Sequence, residues 1–423
     1  MDNRQQRDFP VAIIGFGIAG FNAALSLRTH GYEGEIRVFS STDTLPYSPI
    51  LTSYYAGGEK TYEECFPWSQ AEVDDLHLEI MEKCPVVSLD TTNHVISTHC
   101  GDFPYSKCVI ASGAINTSAG FPKDCGYEPI MLRTMENAER LRAAITNPAC
   151  KKMLVSGASM VSLKTLEACL NRGVEMTLVG IRPHVLDMNA LPEAAKRFEK
   201  GLEAQGVRLK LGNSIKDVKV ITDATHPLGR RLEVTFANGD IEEFDEISVA
   251  HGMRNNLDFV EQGSIEIDRG ILVDGFMRTS AADVFAAGDV VQTTELVSGE
   301  NRIVGIFKNA ARQGACAGKT IAAELAGDEV PASYAFAGSI PMNTIAVRDT
   351  LFISAGTIEL TEDRFVEVDE GEDMTIVYIY ERADTDTLRL VGFNITCDND
   401  EPGSVAYDTG AMLVMRIEAD CKR

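Results

Sequence analysis

The stretch that decides the fold is Val11-Ala-Ile-Ile-Gly-Phe-Gly-Ile-Ala-Gly20, close to the amino terminus. Its first four residues are apolar, and three of them are β-branched, which predicts a strand buried on both faces. The glycine pattern GxGxxG comes next, then an alanine- and leucine-rich helix and a second predicted strand at residues 35–39. This order of strand, turn, helix and strand predicts a complete βαβ unit that binds a nucleotide.

Each glycine of this turn has a physical task. Gly15 permits the tight turn, Gly17 lets the backbone approach a pyrophosphate, and Gly20 lets the helix pack closely on the strand. The helix amino terminus, at Ile18 and Ala19, points its free amides at the anion. We therefore predict that all five residues bind the cofactor.

The residues after the second strand should reach the ribose of the nucleotide. They read Ser40-Ser41-Thr42-Asp43, so the acid comes slightly later than in the usual pattern. Asp43 can still bind the ribose, Ser41 can substitute for it, and a plain helix-capping role for Asp43 is an equal alternative. Ser40, Ser41 and Asp43 are our candidates.

The composition limits the classes of function. The chain has 423 residues, enough for two or three domains, and its 44% hydrophobic and 24% charged residues are ordinary globular usage. The chain has 39 Lys and Arg residues against 63 Asp and Glu residues, so its net charge is 39 − 63 = −24. This charge argues against nucleic-acid binding and against a polybasic membrane anchor. The apolar run 11–27 is too short to span a bilayer. We expect a soluble cytoplasmic protein.

Ten cysteines are scattered along the chain without any CxxC spacing. That pattern predicts buried thiols, with no metal site and no redox dithiol loop.

Residues 359–372 are rich in acids and are predicted to form a solvated loop, with a docking surface as the alternative. An Asn238-Gly239 turn predicts a hairpin between strands at 232–236 and 246–250.

Several further motifs follow in a fixed order: VIASGA from residue 109, a second nucleotide unit near 157, HGMRNN from 251, GILVDGFMRTS from 270 and VFAAGDV from 284. Together with GFGIAG, they resemble the two-dinucleotide-fold flavoproteins, the pyridine-nucleotide-disulfide oxidoreductases. Within that superfamily the chain resembles the ferredoxin, rubredoxin and nitrite reductase-like branch. The resemblance spans about residues 10–325.

The resemblance implies an α/β fold with two Rossmann-like three-layer domains and a C-terminal α+β domain. The FAD-binding domain would comprise residues 1–119 and 249–327, the NAD(P)-binding-like domain residues 120–248, and the C-terminal domain residues 328–423.

The resemblance also implies how FAD is held. Asp289, beside Gly288, would bind the ribityl chain, and the helix from Asn309 and Ala310 would point its amino terminus at the flavin pyrimidine. The remaining candidates that the resemblance implies are Ala111, Ser112, Gly113, Val87, Pro49 and Gly252.

The second nucleotide turn departs from the usual glycine pattern and reads Gly157-x-Ser159-x-x-Ser162. Serines are small enough for the turn to survive, although a Cβ makes close approach of a pyrophosphate harder. Glycine also occupies the place of the acid that grips an NAD ribose, and Arg182 follows it. This favours NADPH over NADH, or weakened binding; the alternative is that Arg182 is only a solvated charge.

A second departure concerns an ion pair that many members place beside the flavin. Tyr54 aligns with the usual lysine, Pro49 with a frequent arginine, and Lys164 stands where the glutamate is usual. A lysine at the flavin edge would stabilise negative charge there or hold an anionic substrate; the alternative is a surface lysine in water. Residues 46–58 lack the redox cysteine of the disulfide reductases, so disulfide reduction is not expected.

The leading hypothesis is an FAD-dependent oxidoreductase in which NADH or NADPH reduces the flavin. Electrons would then pass to a small iron–sulfur protein or a partner redox subunit. Lys164 and Tyr54 are the candidates for tuning the reaction. One alternative is a flavoprotein that acts on a small organic substrate at the modified nicotinamide site. Another is an FAD subunit of a larger redox complex. The acidity favours a basic or subunit-bound acceptor over an acidic ferredoxin, and a homodimer is possible.

Overall fold

A computed structural model describes residues 9–382, 387–398 and 401–421. The chain divides into two compact units. Unit 1 comprises the residues up to 48 together with 66–115 and 254–339, and unit 2 comprises residues 49–65, 116–253 and those from 340 onward.

The strands, in chain order, are β1 Val11–Ile14, β2 Ile36–Phe39, β3 Glu79–Met81, β4 Val86–Asp90, β5 Val95–Thr98, β6 Gly101–Pro104, β7 Lys107–Ile110, β8 Ala114–Asn116, β9 Lys152–Ser156, β10 Glu175–Gly180, β11 Arg208–Leu211, β12 Ile215–Thr222, β13 Arg230–Phe236, β14 Ile241–Phe244, β15 Glu246–Val249, β16 Met253–Asn255, β17 Ile271–Leu272, β18 Val284–Ala286, β19 Val291–Thr294, β20 Asn301–Arg302, β21 Met342–Val347, β22 Thr350–Gly356, β23 Arg364–Glu370, β24 Met374–Arg382 and β25 Leu388–Asp398. The helices are α1 Ile18–Thr29, α2 Leu51–Gly57, α3 Gln70–Asp74, α4 Met135–Thr146, α5 Met160–Asn171, α6 Pro192–Ala204, α7 Phe307–Ala326 and α8 Glu401–Cys421.

Unit 1 is built on a parallel five-stranded sheet with the order β18-β7-β1-β2-β3. All four residues of β1 are buried, as its apolar sequence predicts, because helices of a βαβ sheet cover both faces. Two small sheets, β4-β5-β6 and β17-β19-β20, complete the unit. The predicted βαβ unit is confirmed: β1 and β2 pair in parallel and α1 connects them.

Helices α1 and α7 pack against each other through glycine. A Cβ on Gly314 would lie 2.1 Å from the carbonyl oxygen of Ala19, and one on Gly318 would lie 2.3 Å from that of Ala23. Both separations are far below van der Waals contact, so the two helix backbones approach each other directly. This contact fixes the start of α7 relative to the first nucleotide turn.

Unit 2 contains a second parallel sheet, β11-β10-β9-β15, and a three-stranded antiparallel sheet, β12-β13-β14. It also contains a five-stranded antiparallel sheet, β21-β22-β25-β24-β23, on which α8 packs. The Rossmann-like and α+β parts of the predicted fold class are therefore present. Within the described ranges, no helix combines the length and apolar character that crossing a bilayer requires.

Two predictions of local structure are wrong. The Asn238-Gly239 turn joins β13 to β14, whereas β15 pairs in parallel with β9. The apolar residues of β15 are buried in that sheet, while β14 supplies the hairpin partner. The acid-rich segment is not merely a loop, because Arg364–Glu370 forms the edge strand β23. Most residues of β23 are exposed to solvent. Charged side chains are common on such edge strands because they discourage pairing with another sheet.

Candidate functional site

The first nucleotide turn closes tightly against the sheet. Gly15 has a φ of +102°, and a Cβ there would lie 2.3 Å from the carbonyl oxygen of Ala111. A Cβ on Gly20 would lie 2.0 Å from the carbonyl oxygen of Gly15. Both positions therefore require glycine for reasons internal to the fold.

Gly17 is different, because no described part of the chain requires glycine there. Its φ of −87° and ψ of −163° suit any residue, and a Cβ at this position would have none of the described residues' atoms within 4 Å. Gly17 is also the cap residue of α1, where the amides of Ile18 and Ala19 begin the helix. The open space in front of these amides fits a pyrophosphate.

The ribose candidates lie in the bend after β2. Ser40 is buried, and its Oγ accepts a hydrogen bond from the Thr42 amide at 3.2 Å, while Ser41 is exposed. Asp43 Oδ2 lies 2.5 Å from Lys83 Nζ, and this interaction holds the pKa of Asp43 below its ordinary value. No helix begins at Asp43, which is itself a described residue, so the capping alternative is wrong. Asp43 remains a candidate, with Lys83 as a partner that the sequence did not reveal.

Two turns at the carboxyl ends of neighbouring strands in the unit 1 sheet hold further candidates. After β7, Ser112 Oγ donates a hydrogen bond to the Asn256 carbonyl at 2.6 Å, and the Asn256 amide donates to the Gly113 carbonyl at 3.0 Å. Ala111 precedes them, and its amide bonds to the Ile14 carbonyl at the end of β1. These bonds pin the segment beside the glycine turn.

Gly288 and Asp289 follow β18. Gly288 has a φ of +88°, and its amide donates a hydrogen bond to Gln313 Oε1 at 2.9 Å. Asp289 lies against Gly305, where a Cβ would be 3.2 Å from Oδ1. Sequence reasoning missed Gln313, which is buried; its position one turn along the helix from Asn309 was the available signal.

Helix α7 begins at Phe307, two residues before the predicted start, so Asn309 and Ala310 lie in its first turn. Asn309 is 3% exposed, and its Nδ2 donates to the Val304 carbonyl at 3.1 Å. Val87 is exposed and lies in the bulge between β4 and β5. Pro49 belongs to unit 2, where its carbonyl accepts a hydrogen bond from Thr52 Oγ1 at 2.7 Å.

The second nucleotide turn keeps its shape despite the serines. Gly157 has a φ of +116°, and a Cβ there would lie 2.4 Å from the Ala250 carbonyl oxygen. Ser159 caps α5, and its amide donates to Ser162 Oγ at 3.2 Å. Ser162 is fully buried. The serine hydroxyls therefore take over hydrogen bonds at the helix start, which leaves fewer amides for an anion.

Past β10, Arg182 and a second basic residue, His184, have different surroundings. Gly180 is tightly packed, since a Cβ would lie 3.0 Å from Ala158 Cβ. The Arg182 side chain is 63% exposed and its Nε lies 3.7 Å from Asp187 Oδ2. His184 is instead held by Glu199, with 3.1 Å between Nδ1 and Oε1. Of the two, Arg182 is the exposed side chain.

His251 makes structural hydrogen bonds through both ring nitrogens. Its Nδ1–H donates to the Ala119 carbonyl at 2.8 Å, so Nε2 accepts from Ser156 Oγ, also at 2.8 Å. Burial lowers the pKa of His251, which keeps the ring neutral. The adjacent Gly252 has a φ of +94°, and its carbonyl accepts the Thr117 amide.

Lys164 and Tyr54 are in contact in unit 2. Lys164 Nζ lies 4.1 Å from the centroid of the Tyr54 ring, donates to the Ala346 carbonyl at 3.2 Å, and forms an ion pair with Glu167. The Lys164 side chain is only 14% exposed, so the water-facing alternative is wrong. Sequence reasoning missed Glu167, although its spacing of three residues from Lys164 on a helix was a signal.

The charges in this cluster compensate each other. Burial acts to lower the pKa of Lys164, but the Glu167 carboxylate and Tyr54 more than offset burial, so the pKa lies above its ordinary value. Lys164 is therefore a cation at neutral pH. Its positive charge is shared among a carboxylate, a carbonyl and an aromatic face.

Comparison with known proteins supplies a family. The sequence profile described as pyridine nucleotide-disulphide oxidoreductase matches residues 9–314. A rubredoxin-NAD(+) reductase of Pseudomonas putida is 27% identical over 325 residues, which cover 76% of this chain and 81% of the relative. The NADH-dependent phenylglyoxylate dehydrogenase subunit epsilon of Aromatoleum evansii is 27% identical over 354 residues, covering 83% and 80%.

Among solved structures, a NAD-dependent persulfide reductase from A. fulgidus superposes with a TM-score of 0.83. It is 22% identical, and the match covers 97% of this chain and 77% of that structure. At this identity the likeness concerns the fold, including the region beyond the matched family profile.

Proposed function

The chain belongs to the pyridine nucleotide-disulphide oxidoreductase family, and from this premise we propose that it is an FAD-dependent NAD(P)H oxidoreductase that passes electrons to a redox protein. The observation that carries the proposal is the open space at Gly17 between two glycines that the fold itself requires. The residues around it fit FAD, because the amino terminus of α1, the bend after β2 and Asp289 line the same edge of one sheet.

FAD, when bound, accepts hydride from a nicotinamide and releases electrons to an acceptor. The protein's part is to bind and orient. Ile18 and Ala19 hold the pyrophosphate by their amides, and Ser40, Ser41 and Asp43 hold the adenosine ribose. Asp289, fixed against Gly305, hydrogen-bonds the ribityl hydroxyls. The first turn of α7, at Asn309 and Ala310, presents amides to the flavin ring.

We assign the remaining FAD candidates by the same family resemblance. The backbone of Ala111, Ser112, Gly113 and Gly288 lies along the cofactor, and the bulge at Val87 contacts its adenine end. Pro49 and Gly252 stay as candidates on the same basis. Gly157, Ser159 and Arg182 bind the pyridine nucleotide.

We propose that Lys164 and Tyr54 tune flavin reduction, because Tyr54 aligns with the family's lysine and Lys164 with its glutamate. The structure's contribution is that Lys164 carries a stable positive charge fixed by Glu167. A fixed cation lowers the free energy of negative charge that develops nearby. Lys164→Gln should therefore slow reduction in stopped-flow experiments, whereas Tyr54→Phe should alter it less because the ring face remains.

An anaerobic titration identifies which pyridine nucleotide reduces the flavin. The purified flavoprotein is titrated with NADH and with NADPH under anaerobic conditions, and the visible flavin band is followed. Fast bleaching by one of them is the expected result, and absence of bleaching by both with intact FAD would contradict the proposal. We expect Arg182→Ala to weaken NADPH and leave NADH nearly unchanged, because the exposed guanidinium suits a 2′-phosphate.

The electron acceptor we propose is a small iron–sulfur protein. The support is the relative named rubredoxin-NAD(+) reductase, which matches three quarters of this chain. We also propose a cytoplasmic location and a homodimer. Analytical ultracentrifugation of the flavin-loaded protein tests the homodimer.

A second candidate role is that of a subunit in a larger redox complex. It is favoured by the relative from Aromatoleum evansii, which is named as a subunit and matches 83% of this chain. Affinity purification of the tagged protein from its native host distinguishes the two roles. A stoichiometric complex would support the subunit role, and an isolated protein that reduces rubredoxin would support the reductase role.

A further inference from the structure

A hairpin in unit 1 presents two metal-binding side chains outside the flavin region. Strands β5 and β6 are joined by a two-residue turn, His99-Cys100, because Thr98 pairs with Gly101. Thr98 Oγ1 accepts the Cys100 amide at 3.0 Å, and Gly101 has a φ of +133° that suits glycine. Both turn side chains are exposed.

The neighbouring strand brings a third side chain to this turn. Val86 of β4 pairs with Thr98 in antiparallel register, so the chain just before Val86 runs beside the turn. Cys84 occupies that place and is 1% exposed. Its amide donates to the Ser40 carbonyl at 2.8 Å, which fixes its backbone.

The three ligand atoms of Cys84, His99 and Cys100 lie within 4.8 Å of one another. We propose that these residues form a Zn²⁺ site. Two sulfur atoms and one imidazole nitrogen are ligands that this ion prefers, and a water molecule would complete a tetrahedron. None of the three ligands is among the residues assigned to the flavin or the pyridine nucleotide, although the FAD candidate Val87 follows Cys84 closely.

The geometry needs only a small adjustment. Tetrahedral zinc with bonds of about 2.0–2.3 Å separates its ligand atoms by roughly 3.5–3.8 Å. Cys84 is fixed in the core, while His99 and Cys100 lie on an exposed turn and can close the remaining distance. Zinc would take the place of the two thiol protons, which are released to solvent.

A metal at this place would join the hairpin to the ribose bend. Besides the Cys84 amide, the Lys83 amide donates to the Thr42 carbonyl at 3.3 Å. Zinc bound to Cys84 and the turn would therefore tie β5 and β6 to residues 40–43. Binding to the folded state alone raises the thermal unfolding temperature, which provides a readout independent of electron transfer.

The test uses the FAD-loaded protein, treated with reductant and chelator and then equilibrated with ZnCl₂. We expect one retained zinc per chain by mass spectrometry of the metal. CoCl₂ should give thiolate-type d–d bands at wavelengths beyond the flavin absorption. Cys100→Ser and His99→Asn change exposed side chains, so they should fold and keep FAD. Each should weaken zinc binding more than about tenfold, since even outer-shell changes cost about 10- to 100-fold.

Matched controls are Cys421→Ser and His77→Asn, which replace the same residue types outside the cluster and should retain the zinc. Cys84→Ala tests the buried ligand, with the flavin spectrum reporting that the unit is folded. The proposal is overturned if no stoichiometric zinc is retained, or if Cys100→Ser and His99→Asn retain it fully. It is also overturned if a Cys84–Cys100 disulfide re-forms after the reductant is removed and takes the place of zinc binding.

Discussion

Gly17 and Gly20 belong to one motif, but the fold itself requires glycine only at position 20, whereas the proposed ligand requires it at position 17. We expect Gly17→Ala to leave the unfolding temperature of the FAD-free protein unchanged, because its Cβ enters open space. FAD affinity should fall, because that space is where the pyrophosphate approaches. Thermal unfolding with and without FAD, together with a fluorescence titration of FAD, measures both effects.

Gly20→Ala is the matched comparison for this prediction. Its Cβ would lie 2.0 Å from the Gly15 carbonyl oxygen, so the FAD-free protein itself should lose stability. Equal loss of stability in the two variants would refute the assignment of Gly17 to the ligand.

The buried ion pair of Lys164 predicts a large effect of removing its partner. Glu167→Gln should lower the free energy of unfolding by about 3–5 kcal/mol, because a buried cation loses its counter-charge. Asp258→Asn, which breaks the exposed pair with Arg254, should have little effect. Urea unfolding of both variants measures the two changes in free energy of unfolding. A similar small change in both would contradict the assignment of Glu167 as the counter-charge of Lys164.

The same pair gives a sign for pH dependence. The pKa of Lys164 is raised in the folded state, so its stabilisation is complete below the ordinary lysine pKa of about 10.4 and is lost as pH rises through the raised value. We expect no contribution of Lys164 to the pH dependence of stability between roughly pH 6 and 9. The prediction would be contradicted if the difference in free energy of unfolding between wild type and Lys164→Gln varied strongly between roughly pH 6 and 9.

At the level of single residues, the sequence predicted the glycine turn but not its partners. Gly15, Gly17 and Gly20 are recognisable because backbone geometry limits their replacement. Glu167 and Gln313 escaped notice because their roles come from contacts made in three dimensions. Cys84 and Cys100 illustrate the same limit: far apart in sequence, they meet only through the strand register.

Between helices, the glycine contact of α1 and α7 makes a clear prediction. Gly314→Ala should push α7 away from Ala19, because its Cβ would lie 2.1 Å from that carbonyl oxygen. We expect lower stability and weaker FAD binding together, measured by thermal unfolding and flavin release. Gly410→Ala in α8 meets its nearest atom at 3.4 Å and should be neutral or stabilising. Unchanged FAD binding in Gly314→Ala would show that α7 does not position the cofactor.

Elements with a strong pattern were predictable, and those set by pairing were not. Buried parallel strands such as β1 and β9 are recognisable by their short apolar runs. The hairpin at Asn238-Gly239 was recognised by its turn, yet its second strand was misassigned because β14 is short and polar. β23 was read as a loop because its solvent-facing acids mask the alternation of a strand.

For the whole molecule, the division into an FAD domain (1–119 and 249–327), an NAD(P)-like domain (120–248) and a C-terminal domain (328–423) stays a proposal. The fold class follows from motif order, which is why it could be predicted. The proposed zinc site, by contrast, could not be predicted, because the spacing of the cysteines carries no signature of it.

The net charge of −24 leads to a prediction for the acceptor. If surface charge governs the encounter, reduction of an acidic ferredoxin should speed up with added salt, because screening weakens repulsion. Reduction of a basic acceptor such as cytochrome c should slow down under the same conditions. Steady-state rates at low and high ionic strength test this, and a ferredoxin rate that falls with salt would indicate a local basic docking patch.

The edge strand β23 also bears on how copies of this protein meet. Its exposed Glu367, Asp369 and Glu370 place like charges wherever two such edges would pair, which opposes growth of one sheet onto another. The proposed homodimer must therefore form through another face. Near the isoelectric point of about 4.7 the net charge of the whole chain approaches zero, so repulsion between molecules is weakest and acidification should favour aggregation.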